Sequence, residues 1–428
     1  MTDIQQQYKE KVMSAKEAIK FIEPNDAIVY PICPGEPGKL HEALVNYDGL
    51  DHNSLYRTLT ALSTPELAKD KLKYVSIFLG GDRKGHHEGY VELLPNHFGD
   101  TVDLIQMREK QIVPMFIASP MDEEGYFSMG LANAYVGPLL ENAKNIIIEA
   151  NEKYPYTYGE KHRVHISDVT AIVESDANIV TLPNPDIDEK SSEIGRIIAE
   201  IIPDGASLQI GYGAVPNAVM NNLIDKKNLG FHTEMLPDKA MELTKAGAVD
   251  NSQKNTFIGK TVTTFALGSN ELYEWLDHNE DVYFLPVNHS NSVAEIGKED
   301  NLYTVNATIQ VDLLGQCNSE KLPGKYYSSS GGQADFSKGV RISRSGVGII
   351  ALNSTAANDT VSTIVPSLYE AAAVTTSKND VDYIVTEYGA ARLKGKTINE
   401  RVEALIAIAH PKFREELRSE AKRLQYIA

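Results

Sequence analysis

Ser207-Leu208-Gln209-Ile210-Gly211-Tyr212-Gly213-Ala214-Val215-Pro216 is a β-rich run that breaks into a Gly-X-Gly turn and then a proline suited to the first turn of a helix. A helix-like stretch, Pro216 to Ile224, follows, then the polar turn Asp225-Lys226-Lys227-Asn228 and a second strand in Leu229-Gly230-Phe231-His232-Thr233-Glu234-Met235. A right-handed strand-helix-strand crossover returns the chain to the same sheet edge, so the glycine turn and Glu234 should emerge at neighbouring strand ends. This unit sets the fold class as α/β.

The same alternation runs through most of the chain. After a helix expected at about residues 5 to 21, candidate strands include Ala27-Ile28-Val29-Tyr30, Tyr74-Val75-Ser76-Ile77-Phe78-Leu79, Ile112-Val113-Pro114-Met115-Phe116-Ile117 and Asn145-Ile146-Ile147-Ile148-Glu149. The second half adds Thr261-Val262-Thr263-Thr264-Phe265, Val282-Tyr283-Phe284-Leu285 and Gly348-Ile349-Ile350-Ala351-Leu352. Helices between such strands argue for layered α/β architecture with mainly parallel sheets and ligands at the carboxyl ends of the strands.

At 428 residues the chain exceeds the size at which one hydrophobic core usually stops growing, which predicts two domains. The proline-rich, polar stretch Leu182-Pro183-Asn184-Pro185-Asp186-Ile187-Asp188-Glu189-Lys190 is the linker candidate, because it cannot continue a regular element. The expected division is 1–185 and 186–428. An internal echo supports related halves: Glu23 to Val45 aligns without gaps on Ile202 to Ile224, matching Pro24 with Pro203, Ala27 with Ala206, Pro37 with Pro216 and Leu44 with Leu223. Two independent strand-loop-helix units would read the same way.

Composition narrows the function classes. Apolar residues make up 42% and charged residues 23%, ordinary for a globular protein, and no apolar run approaches the roughly 20 residues of a membrane helix. The opening Met1-Thr2-Asp3-Ile4-Gln5 lacks a basic-then-apolar secretion signal, so a cytoplasmic location without membrane association is expected. A net charge of −18 disfavours nucleic acid, and any anionic ligand must be held locally. Cys33 and Cys317 are too few for a disulfide framework, lack zinc-site spacing, and read as free thiols.

Three segments carry candidate chemistry. The N–H groups after Gly211 and Gly213 can hold a phosphate or the oxyanion of a carbonyl under attack, although a tight turn packing helix on sheet has the same pattern. Glu234 can be a base, a cap or a nucleophile, and its residue type does not choose among them. Tyr327-Ser328-Ser329-Ser330-Gly331-Gly332-Gln333-Ala334-Asp335-Phe336 offers paired glycines for close ligand approach and serine donors, or is a surface loop. Asn288, His289, Ser290 and Asn291 follow the strand Val282 to Leu285 and would also project from a strand end, and His232 is either a substrate contact or a core histidine.

Taken in order, these segments resemble the acetyl-CoA hydrolase/transferase family, particularly its 4-hydroxybutyrate and butyrate:acetate CoA-transferase branch. Besides the glycine turn, the Glu234 segment and the Gly331-Gly332 loop, the resemblance rests on Gly35-Glu36-Pro37, Ser119-Pro120-Met121-Asp122-Glu123-Glu124-Gly125-Tyr126-Phe127-Ser128, Ala373-Val374-Thr375-Thr376-Ser377-Lys378-Asn379-Asp380-Val381-Asp382-Tyr383 and Ala409-His410-Pro411. It spans nearly the whole chain.

The resemblance implies two similar open α/β domains with the active site at the interdomain cleft. It implies that Glu234 becomes a glutamyl-CoA thioester. It assigns CoA binding and oxyanion stabilisation to Gly211, Tyr212, Gly213, Ala214 and Val215, with Gly331, Gly332 and Asn291 as further contacts and Asn288 as the rival to Asn291. Coenzyme A is a co-substrate, no metal or other cofactor is needed because thioester energy is conserved, and a homo-oligomer, dimer or larger, is expected. Substrates would be a short acyl-CoA and a carboxylate such as acetate. Hydrolysis of acyl-CoA through the same intermediate and a non-catalytic CoA- or nucleotide-binding module are the alternatives.

Three positions depart from the family pattern. Ile32 stands where histidine is usual, Ser329 where glycine is usual, and Ala357 where lysine is common. They predict a less polar acyl pocket, a narrower second loop and an altered hold on the CoA phosphates.

Overall fold

The computed structural model describes residues 3–428. They form two compact units, one running up to residue 183 and rejoined by residues 262–290, the other of residues 184–261 and 291–428. The first break falls inside the linker segment. The second unit is interrupted by a segment, 262–290, that a single boundary at 185 assigns to the other half.

In the first unit, a seven-stranded sheet comprises β1 (Ala27–Val29), β2 (Asn53–Thr58), β3 (Leu72–Phe78), β4 (Val91–Leu93), β5 (Ile112–Ala118), β6 (Ile147–Asn151) and β7 (Ala171–Ser175). Their spatial order is β7-β6-β5-β1-β2-β3-β4, and every pairing is parallel. β5 is buried along its whole length, as its unbroken apolar run requires of a parallel strand covered on both faces. Helix α1 (Gly38–Val45) follows β1 and contributes Leu40, Ala43 and Leu44 to a core shared with Ile28, Leu55, Tyr74, Val113 and Ile147.

The helix expected at residues 5 to 21 is broken in two, Asp3–Lys11 and Ala15–Ala18. Val12 bridges to Ile172, Met13 N–H donates to the Ile172 carbonyl at 2.9 Å, and Ser14 with Glu17 closes a capping box that starts the second piece. A tertiary pairing thus overrides the local helical pattern.

The second unit carries β8 (Ser207–Ile210), β9 (Gly230–Phe231), β10 (Leu302–Ala307), β11 (Val347–Ala351), β12 (Tyr383–Thr386) and β13 (Gly389–Arg392), in spatial order β9-β8-β10-β11-β12-β13. Only the β12–β13 hairpin is antiparallel. Helix α2 (Glu189–Ile201) opens this unit, its N-cap Asp188 accepting the Ser191 N–H at 2.7 Å. Helix α3 (Ala214–Asn221) links β8 to β9, and α4 (Gln333–Ile342) leads into β11. α3 starts two residues before, and ends three residues before, the limits read from the sequence.

The two sheets repeat one topology. In each, the second strand lies on one side of the first (β2 beside β1, β9 beside β8) and the next three strands of the repeat extend on the other side. The first unit adds β3 and β4 at one edge, the second adds β13 at the other. The strand order reverses between β1 and β5 and between β8 and β10, which is where ligands gather in open α/β sheets.

Candidate active site

In the second unit, the chain leaves β8 at Gly211 and turns into α3 through Gly213, which sits at φ 144° and ψ 175°, a conformation almost closed to residues with a Cβ. Gly213 caps the helix, so the N–H groups of the first turn of α3 lack intrahelical acceptors and present partial positive charge. Gly211 differs: a Cβ there would meet open space. Residues 211–215 are all half-buried, leaving the turn accessible.

Glu234 follows β9. His232 N–H donates to the Leu208 carbonyl at 3.0 Å, and the Thr233 hydroxyl lies 3.4 Å from the Ile210 carbonyl, so the segment stays beside β8 to its carboxyl end. The expected adjacency of the glycine turn and the Glu234 segment is therefore formed by parallel neighbours.

The carboxylate of Glu234 accepts a hydrogen bond from Asn291 Nδ2 at 2.7 Å and another from the Gly332 N–H. Gly332 is the N-cap of α4 with φ −87° and ψ 0°, angles open to any residue. Space, not conformation, demands glycine there: a Cβ would land on Glu234 Oε2 and Asn291 Nδ2. Gly331, by contrast, has φ 55° and turns the chain.

Although Glu234 keeps some exposed surface, dense protein surrounds its carboxyl group, and this burial pushes its pKa up to about 7. The Asp335 charge adds to the rise, while the Asn291 and Gly332 hydrogen bonds oppose it. The group is thus poised between acid and carboxylate near neutral pH. Such tuning suits a reacting carboxyl.

Asn291, Gly332 and Glu234 are brought together; Asn288 is exposed, and of the two asparagines only Asn291 contacts the carboxylate. His232 is buried, its ring edge-on to Phe336 at 6.2 Å between centroids. Tyr212 is half-buried and its hydroxyl is raised by burial and by the Asp238 charge. Asp335 and Lys254 escaped the sequence reading as site residues. Lys254 is buried and donates to the Phe231 and Lys260 carbonyls at 2.8 Å each, pinning β9 from below; burial lowers its pKa to about 8, opposed by the Glu299 charge. The signal for Asp335 was its place three residues after Gly332, one helical turn along.

The departures have structural counterparts. Ile32 is buried in the first unit. Ser329 is buried, and among the described residues its hydroxyl has no hydrogen-bond partner. Ala357 is exposed in a loop where Ala357, Asn358 and Asp359 all have positive φ, and two lysines reach this loop: Lys190 Nζ donates to Thr355 Oγ1 at 2.9 Å and pairs with Asp359, and Lys412 Nζ donates to the Asp359 carbonyl. Both cysteines are buried free thiols whose pKa burial pushes up, which disfavours a thiolate nucleophile. Among the described residues no cluster of His, Cys, Asp or Glu is placed to hold a metal ion, and no helix is long and apolar enough to cross a membrane.

Fold and site define an open parallel α/β protein with a buried, glycine-walled carboxyl group beyond the carboxyl ends of the parallel neighbours β8 and β9 of its second sheet. The chain belongs to the acetyl-CoA hydrolase/transferase family: residues 1–183 match the N-terminal domain of that family and residues 268–421 its C-terminal domain. It is 41% identical to a succinyl-CoA:cyclohexane-1-carboxylate CoA transferase from Geobacter metallireducens, over 99% of this chain and 98% of the relative. It is likewise 41% identical to a 4-hydroxybutyrate coenzyme A transferase from Clostridium kluyveri, over 97% of this chain and 98% of the relative. The crystal structure of RipA from Yersinia pestis superposes with a TM-score of 0.92 at 36% identity, covering 100% of both chains. Relatives named as acetyl-CoA hydrolases are more distant.

Proposed function

We propose that this protein is a CoA-transferase that moves CoA between a short-chain acyl-CoA and a carboxylate such as acetate, with Glu234 as the covalent carrier. The observation that carries the proposal is the Glu234 carboxyl group held by Asn291 Nδ2 and the Gly332 N–H beside the open N-terminal turn of α3. The relatives' activities as CoA-transferases support the reaction class, and butyryl-CoA or 4-hydroxybutyryl-CoA is the donor class favoured by the branch that the sequence resembles. Ile32, standing where the family usually has histidine, favours an unsubstituted acyl chain.

Ionised Glu234 attacks the acyl-CoA carbonyl, the C–S bond breaks, and a mixed anhydride forms. The released CoA thiolate attacks the glutamyl carbonyl, expelling the acyl group as a carboxylate that keeps the bridging oxygen. A second carboxylate reverses the sequence and leaves as a new thioester. Asn291 and the Gly332 N–H orient the nucleophile, and the N–H groups from Gly213 to Val215 stabilise the tetrahedral oxyanions, each such donor contributing about 10²–10³ in rate. Gly211, Tyr212 and Gly331 shape the space that CoA enters. Much of the acceleration comes from CoA binding remote from the reacting carbon.

The test is intact-mass analysis after incubation with butyryl-CoA and no acceptor. The protein should gain one CoA moiety, mapped to the Glu234 peptide, and Glu234→Gln should gain none and transfer none. Steady release of free thiol without acceptor would instead establish a hydrolase, and stoichiometric binding without acyl exchange a CoA-binding module. The proposal places the protein in the cytoplasm as a homo-oligomer, in keeping with its expected localisation and its family.

A further inference from the structure

We propose that Asp335 is a positioning residue for the reaction: its carboxylate, one helical turn along α4 from Gly332, destabilises ionised Glu234 and so drives the enzyme towards its covalent glutamyl-CoA form. This rests on the reading of Glu234 as the nucleophile.

The geometry is a short chain of contacts. Gly332 caps α4, donates its N–H to Glu234 and approaches so closely that a Cβ would collide with Glu234 Oε2. Residues three apart share a helix face, so Asp335 lies behind Gly332 on the side that meets Glu234. Asp335 is only 4% exposed, and it stands in the first turn of α4, where the helix dipole favours a negative charge. That turn is fixed in place. Phe336 N–H donates to the Gly332 carbonyl at 3.0 Å, Gln333 Nε2 to Thr376 Oγ1 at 3.0 Å, and the Phe336 ring is fully buried against Ile296, Leu302 and Val340.

Lys254 bonds to the Phe231 and Lys260 carbonyls and faces Glu299, Tyr212 feels Asp238, and His232 packs against Phe336. Asn291 and the Gly332 N–H favour the Glu234 anion; Asp335 supplies the opposing charge, which raises the Glu234 carboxyl further.

The consequence follows from charge balance. In the first half-reaction, enzyme carboxylate and acyl-CoA give enzyme thioester and free carboxylate. One thioester C–S bond breaks at the acyl carbon, one forms at Glu234, and the negative charge moves from Glu234 to the departing acid. A charge that opposes the Glu234 anion but not its neutral thioester pulls this equilibrium towards the covalent form. It also makes the anion a stronger nucleophile.

The experiment measures the CoA adduct by intact mass from pH 5 to 9, at several ratios of acyl-CoA to carboxylate, for wild type, Asp335→Asn and Asp335→Glu. In Asp335→Asn the acid limb of adduct formation should move down by about one pH unit, with about a tenfold smaller equilibrium constant for the thioester; Asp335→Glu, which keeps the charge, should stay near wild type in both. A folded Asp335→Asn with the wild-type limb and the wild-type constant overturns the inference. Should that variant fail to fold, Asp335→Ser carries the same test: an acid limb moved down by about one pH unit supports the inference, and a limb at the wild-type position overturns it. Absence of any adduct in wild type would refute the nucleophile assignment itself, a separate outcome.

Discussion

Gly213 and Gly332 both lie in glycine motifs, yet they are glycine for different physical reasons. Gly213 has the space for a Cβ, whose nearest neighbour would be 3.4 Å away, but occupies a backbone region that excludes one. Gly332 has ordinary angles and no space. Gly213→Ala should therefore destabilise the fold by about 1–3 kcal/mol, the usual cost of forcing such a conformation, read from the denaturant midpoint. Gly332→Ala should cost only about 1 kcal/mol, because its clash is with the ends of two side chains and its cap is weakened modestly. It displaces the carboxyl group, however, and kcat should fall about 10²-fold, the effect of misplacing a reacting group by about 1 Å. Full turnover in Gly332→Ala would mean that Glu234 does not react where it stands. The sequence carries both glycines but not this distinction, which depends on what stands opposite each Cα.

At the scale of elements, legibility followed the chemistry of each strand's interior. β5, an unbroken apolar run, and β8, bounded by a glycine turn, lie where periodicity and punctuation put them. β2 was not among the strands named from the sequence. Asn53-Ser54-Leu55-Tyr56-Arg57-Thr58 is mostly polar, and its burial makes sense only with its partners: Arg57 is fully buried, its Nε 3.2 Å from Asp82 Oδ2, its guanidinium also reaching Thr64 and stacking 4.9 Å from the Tyr74 ring centroid. Those partners are supplied by β3 and the loops after β2 and β3, so no local pattern reveals them. The break in the first helix has the same origin in a distant strand. In the candidate site, the Gly211–Val215 turn and the Glu234 segment were legible because one crossover joins them, whereas the effect of Asp335 required the pose of α4. Removing half of the buried ion pair should be severe: Asp82→Ala leaves an uncompensated guanidinium in the core and should cost about 3–5 kcal/mol in urea unfolding. A loss below 1 kcal/mol would show that water or Thr64 suffices for Arg57.

At the scale of the whole molecule, the net charge of −18 repels an anionic substrate such as CoA, so the glycine turn and the α3 N-terminus must supply attraction locally. The same local economy is visible in stability. A carboxyl group held at about 7 in the folded state and 4.5 when exposed binds its proton more tightly in the folded protein. Its contribution is therefore fully present below pH 4.5, is lost as pH rises through about 7, and stays lost above. Glu36 in the first unit, raised by burial to about 7, behaves alike, while His41 and His162, lowered by burial to about 4 and about 3, lose stability in the opposite direction as pH falls below 6.5. Between about pH 5 and 6.5 these effects oppose one another, and the wild-type stability should vary little. Glu234→Gln isolates one of them, because the amide is neutral throughout and the other groups cancel in the comparison with wild type. Relative to wild type, Glu234→Gln should gain stability as pH rises from 5 to 8, by on the order of 2–3 kcal/mol for a rise of this size. Urea unfolding of both proteins at the two pH values checks it. A variant that is inactive yet more stable at pH 8 would show that the fold bears a cost to keep Glu234 reactive, and equal stabilities at pH 8 and pH 5 would show that the Glu234 anion is solvated as well in the folded protein as in water.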